Sequence, residues 1–79
     1  MPNTLEIFVH HDCENCETAH QLAREVRLRL PHIVVHLRET NQLDKLPDSV
    51  FAVPTYLFNG KRISLGNPSL SDLLHRLNT

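Results

Sequence analysis

The stretch VPTYLFNGKRISLG, residues 53–66, decides how the chain is read. Two short runs rich in β-formers, Thr55–Phe58 and Lys61–Leu65, flank the dipeptide Asn59-Gly60. Asn-Gly between such runs is the strongest short-range signal for a tight hairpin, because both residues tolerate the positive φ the turn requires. Lys61 and Arg62 then sit at a solvated hairpin tip, and Tyr56 and Phe58 alternate with Leu57 as strand residues bound for a core. Downstream, NPSLSDLLHRLNT begins with Ser69 as a candidate N-cap and Asp72 three residues on, close to a capping box. Leu70, Leu73, Leu74 and Leu77 recur at i, i+3, i+4 and i+7, which predicts an amphipathic helix laid on the sheet.

Upstream, LEIFVH (Leu5–His10) places Ile7, Phe8 and Val9 side by side, the mark of a strand buried on both faces. Cys16, Ala19, Ala23, Val26 and Leu30, widened by Leu22, form one apolar helical stripe that Pro31 closes. HIVVHL (His32–Leu37) is a second β-branched run of strand type. Strand, helix and strand within about 35 residues make a βαβ unit with parallel strands and a right-handed crossover. Between this unit and the hairpin, Leu43 and Leu46 suggest a short helix closed by Pro47. The expected order is β-α-β, a short helix, then β-β-α.

The chain has 79 residues, room for a single domain spanning 1–79. Its formal net charge of −1 supplies no basic footprint for nucleic acid and no pull toward anionic membranes. No run of about 18 apolar residues is present to span a bilayer, and MPNTLEIFVHHD has neither the positive start nor the cleavage site of a signal peptide. The expected compartment is the cytoplasm. Thiols there are kept reduced, so one close-spaced pair, Cys13 and Cys16, reads as catalytic, redox-sensing or metal-binding rather than as a structural staple.

Cys13 falls where the first strand turns into the first helix, and Cys16 lies one turn inside. Unpaired N–H groups and the macrodipole at a helix start favour a thiolate at Cys13. Cys16 belongs to the apolar stripe, so its sulfur is expected below the first. This asymmetry suits exchange: Cys13 attacks a substrate disulfide and Cys16 resolves the mixed disulfide. Asp12, Glu14 and Glu17 oppose a thiolate, whereas a protonated His10 or His11 favours it.

A strand leading into C-x-x-C on a helix, then Val53-Pro54-Thr55 opening a hairpin, a glycine (Gly66) and a final amphipathic helix, resembles the thioredoxin superfamily. With no extra N-terminal strand and helix, the chain is most similar to its short, glutaredoxin-like members. The resemblance covers nearly the whole chain and implies an α/β, thioredoxin-like fold around a central mixed four-stranded sheet with flanking helices. It also implies a cis Val53–Pro54 bond that packs against the disulfide, with the preceding backbone free to pair with an extended substrate. Val53, Pro54 and Thr55 are then the substrate-binding segment, and Cys13 and Cys16 the catalytic pair. The implied activity is thiol–disulfide exchange with a disulfide-containing protein or a low-molecular-weight thiol or disulfide, without a dissociable cofactor.

Departures from the family pattern are equally specific. Glu14-Asn15 stands between the cysteines, where thioredoxins carry Gly-Pro and many glutaredoxins Pro-Tyr, and no tryptophan precedes the motif. Ile7, six residues before Cys13, stands where thioredoxins place a buried carboxylate. SLGNPS lacks the Gly-Gly and following Asp with which glutaredoxins help hold glutathione. Two other classes use the same residues. A binding module would hold Zn or Cu(I) on Cys13 and Cys16 with His10 or His11. Those histidines alternate sides if the strand runs through them, so at most one is well placed. A thioredoxin-fold adaptor would bind a partner along the groove beside Pro54 without turnover. His20, His32, His36 and His75 read as surface or boundary residues.

Overall fold

The computed structural model describes residues 3–10, 16–40, 50 and 52–77. Cys13, His11 and their neighbours, and the helix expected around Leu43 and Leu46, lie outside the described residues. Among the described residues there are four strands and two helices: β1 (Asn3–Val9), α1 (Cys16–Arg29), β2 (Ile33–Glu39), β3 (Thr55–Phe58), β4 (Lys61–Leu65) and α2 (Leu70–Leu77). The strands form one mixed sheet in the order β2-β1-β3-β4. β1 runs parallel to β2, as a strand–helix–strand unit requires, while β3 is antiparallel to both β1 and β4.

The contiguous apolar run of β1 is explained by two cores. Leu5, Ile7 and Val9 face both helices and join Cys16, Ala19, Leu22, Ala23 and Val26 of α1, Leu73 and Leu77 of α2, and Tyr56 of β3. Phe8 points the other way and meets Leu57 and Val50. A strand at the centre of the sheet is buried on both sides, so alternation is lost from its sequence. The helix stripe is seated as its spacing predicts.

The hairpin matches its sequence signal residue for residue. Asn59 and Gly60 take φ of 52° and 85°, the left-handed region the turn needs. Asn59 also ties the turn to the start of β1. Its backbone N–H donates to the Thr4 carbonyl at 2.9 Å and its Oδ1 accepts from the Thr4 N–H at 2.9 Å. α2 begins as expected, with the Asp72 N–H donating to Ser69 Oγ at 3.1 Å.

Both outer strand limits shift. The expected first strand, Leu5–His10, starts earlier at Asn3 and stops at Val9; Asn3 pairs with Ile33 across the ladder. The second runs on to Glu39 rather than ending at Leu37. On the face turned away from the helices, Arg38 Nε donates to Glu6 Oε2 at 2.6 Å and bridges β1 and β2. Hydrophobic patterning is blind to a polar cross-strand pair of this kind.

Candidate redox site

The end of β1, the start of α1 and the start of β3 meet at one end of the sheet. β1 closes at Val9, and Phe8 pairs with Thr55, the first residue of antiparallel β3. Cys16 is the first residue of α1 and is 7% exposed, packed into the core shared by sheet and helices. The Val53–Pro54 bond, just before β3, is cis. The chain thus brings Cys16 and the Val53-Pro54-Thr55 segment to the same end of the sheet. Cys13 lies outside the described residues.

Hydrogen bonds fix the proline segment from behind. The Pro54 carbonyl accepts from the Gly66 N–H at 2.7 Å, and the Thr55 hydroxyl donates to the Ala52 carbonyl at 2.5 Å. Pro54 and Thr55 are fully buried, whereas Val53 is half-buried and Ala52 exposed. The Thr55 side chain is therefore spent inside the loop. The part of this segment open to solvent is Ala52, with Val53 half-buried next to it. Gly66 has a φ of 84°, so a side chain there would be strained.

Behind the site stands Tyr56, an assignment that strand alternation narrows only as far as the core. Its ring is wholly buried, and its hydroxyl donates to Asn67 Oδ1 at 2.8 Å in the loop between β4 and α2. Burial pushes the phenol well above the usual tyrosine range, and negative charge on Cys16 pushes it further the same way. Asn67 is missed in sequence, where SLGNPS is informative only for the glycines and Asp it lacks. The available clue is that a buried Tyr hydroxyl demands a partner.

This phenol gives a pH dependence of definite sign. Unfolded tyrosine ionises near pH 10, but the raised native value keeps Tyr56 protonated beyond that point. The stabilisation is fully present below about pH 10 and is lost as pH rises toward the native value, because only the unfolded state sheds the proton. Between about pH 9 and pH 11 the loss is expected to be about 1.4 kcal/mol. Denaturant midpoints of the wild type and Tyr56→Phe, compared at both pH values, isolate this proton from the lysines. Equal pH dependence in the two proteins would contradict it.

The histidines fare differently from one another. β1 ends before His10, so strand alternation does not govern where His10 points, and that objection to a histidine beside the cysteines lapses. His20, His32, His36 and His75 are exposed, as expected. Among the described residues no three His, Cys, Asp or Glu side chains group as metal ligands, though His11 and Cys13 are outside that set.

Solved structures with a similar fold include two thioredoxins. Oxidised thioredoxin from Plasmodium falciparum superposes with a TM-score of 0.75 at 15% identity, covering 98% of this chain and 79% of that one. Oxidised thioredoxin O2 from Arabidopsis thaliana gives 0.70 at 19% identity, covering 96% of this chain and 72% of that one. The fold is thioredoxin-like. No protein-family model and no curated protein sequence matches the chain. On the strand beside the site Ile7 is fully buried, and its cross-strand neighbour is Tyr56. Among the described residues no helix is long and apolar enough to cross a membrane.

Proposed function

We propose that this chain is a thiol–disulfide oxidoreductase whose working groups are Cys13 and Cys16. One observation carries the reading: Cys16 opens α1, nearly buried, at the sheet end where the Val53–Pro54 segment meets the central strand. A buried second sulfur at that position suits a resolving role. The thiolate of Cys13 attacks the substrate S–S bond, forming a mixed disulfide and releasing one substrate sulfur. Cys16 then attacks the Cys13 sulfur, the mixed disulfide breaks, and the second substrate sulfur leaves. Two electrons pass to the substrate and a Cys13–Cys16 disulfide remains. An external thiol donor, protein or small molecule, restores the dithiol by the reverse exchange. The Ala52–Val53 stretch, exposed at Ala52 and half-buried at Val53, is the segment along which an extended disulfide-bearing substrate would pair. No dissociable cofactor enters this cycle.

A redox titration of purified, metal-free protein in defined thiol/disulfide buffers tests the reading, scored by trapped free thiols. A single two-electron transition between about −270 and −120 mV is expected. Its position ranks reductant against oxidant. A protein that stays dithiol throughout that range overturns the proposal. Stoichiometric Zn or Cu in the protein as isolated would then favour the metal-binding alternative.

A further inference from the structure

We propose that Tyr56 is a positioning residue for Cys16: its hydroxyl, held by Asn67, is a buried polar group that eases formation of the Cys16 thiolate when Cys16 displaces substrate from Cys13. The inference rests on the exchange reading above and assigns its resolving step a partner.

The placement argues for it. Among the described residues, thirteen buried ones make up the core between the sheet and the two helices, and of these Cys16 and Tyr56 are the two with titratable side chains. Leu5, Ile7, Val9, Ala19, Leu22, Ala23, Val26, Ile33, Val35, Leu73 and Leu77 supply the rest. A thiolate forming in such surroundings loses most of its hydration, and apolar neighbours return none of it. Thioredoxin-like chains with a carboxylate on the central strand have a proton acceptor there; Ile7 provides nothing of the kind. Tyr56 is the residue directly opposite Ile7 in the β1–β3 ladder, and both side chains enter the same core. A hydroxyl thus reaches the region from the adjacent strand.

The phenol is also held in a way that leaves its proton usable. Its hydrogen bond to Asn67 Oδ1 is neutral and 2.8 Å long. A hydroxyl turns about its C–O bond without moving the ring, so its proton is not bound to one direction within the core it shares with Cys16. Gly66, next to Asn67, is bonded to the Pro54 carbonyl; the loop that holds the phenol is therefore fastened to the cis-proline segment. Because burial and Cys16 both favour the neutral phenol, Tyr56 remains a donor across the range in which a thiol ionises. It keeps its own proton throughout. The proton from Cys16 leaves with the departing substrate sulfur.

The test uses the full chain carrying Cys13→Ser, in which Cys16 is the sole thiol, since the chain has two cysteines. Thiolate absorbance is followed against pH with Tyr56 intact and in Tyr56→Phe, with circular dichroism as the check on folding. The Cys16 midpoint is expected to rise by about one pH unit in Tyr56→Phe, about tenfold less thiolate at a given pH. An unchanged or lowered midpoint overturns the role and leaves Tyr56 as packing. Should Tyr56→Phe fold poorly, the reciprocal measurement leaves the ring in place. Tyr56 is the single tyrosine, so phenolate absorbance reports it alone. Coupling is mutual, so Cys16→Ser is expected to bring the Tyr56 midpoint down, and no movement overturns the proposal equally. Neither titration needs a disulfide to form. A missing redox couple with a moved midpoint defeats the exchange reading alone, and an intact couple with an unmoved midpoint defeats only the role of Tyr56.

Discussion

With Cys16 replaced by serine, incubation with an excess of disulfide substrate is expected to stop at a mixed disulfide on Cys13. The adduct accumulates to one substrate sulfur per chain, visible by mass and reversed by reductant. The reason lies in the burial of Cys16 at the first residue of α1: the resolving sulfur comes from within, and a serine hydroxyl cannot take its place as a nucleophile. Multiple turnover should fall by about two orders of magnitude or more, as when one member of a catalytic unit is removed. Cys13→Ser is expected to lose turnover as severely yet form no adduct, because the sulfur left behind is the shielded one. Equal adducts on both variants would mean that the two sulfurs are interchangeable and that the division of roles is wrong. An adaptor that binds without exchange would instead show no turnover even in the wild type and keep its partner binding with serine at both cysteines.

Leu73→Ala is expected to cost about 2–5 kcal/mol. Leu73 is fully buried and anchors α2 in the same core as Cys16, Ala19 and Tyr56. Truncation leaves a cavity that the sheet and α1 can close only in part. A chain of 79 residues has about 4–12 kcal/mol of stability in total, so this one change can remove half of it. Leu28→Ala is the natural contrast. Leu28 is 72% exposed on the outer side of α1, and its truncation should stay within about 0.5 kcal/mol of wild type. Denaturant midpoints at constant slope decide the matter. Similar losses for the two leucines would mean that α2 is not docked as described.

Legibility from sequence tracked how local the governing physics is. The hairpin was fully readable: Asn59 and Gly60 need positive φ, and few other residues supply it so readily. Ser69 capping α2 was equally readable, because an N-cap acts within one turn. The cis-proline expectation came with the family resemblance, and the structure has that bond cis. By contrast, the run Ile7-Phe8-Val9 announced burial but not which side chain meets which core. Contiguous apolar residues carry no alternation to read. The extension of β2 to Glu39 comes with backbone pairing to Phe8 and Val9 and with the Arg38–Glu6 pair across the sheet, a match between residues 32 positions apart.

The candidate site divides along the same line. The Cys-x-x-Cys spacing, the start of a helix and a proline ahead of a hairpin are properties of short segments, and they suffice to name exchange as the chemistry to test. Tyr56 became more than a core residue only when β3 lay beside β1 and put it opposite Ile7, with Asn67 arriving from a later loop. Backbone propensities and turn chemistry act over a few bonds, so the chain carries them openly. Which buried groups share a core is set by strand order and register, and those follow from the simultaneous burial of every apolar face.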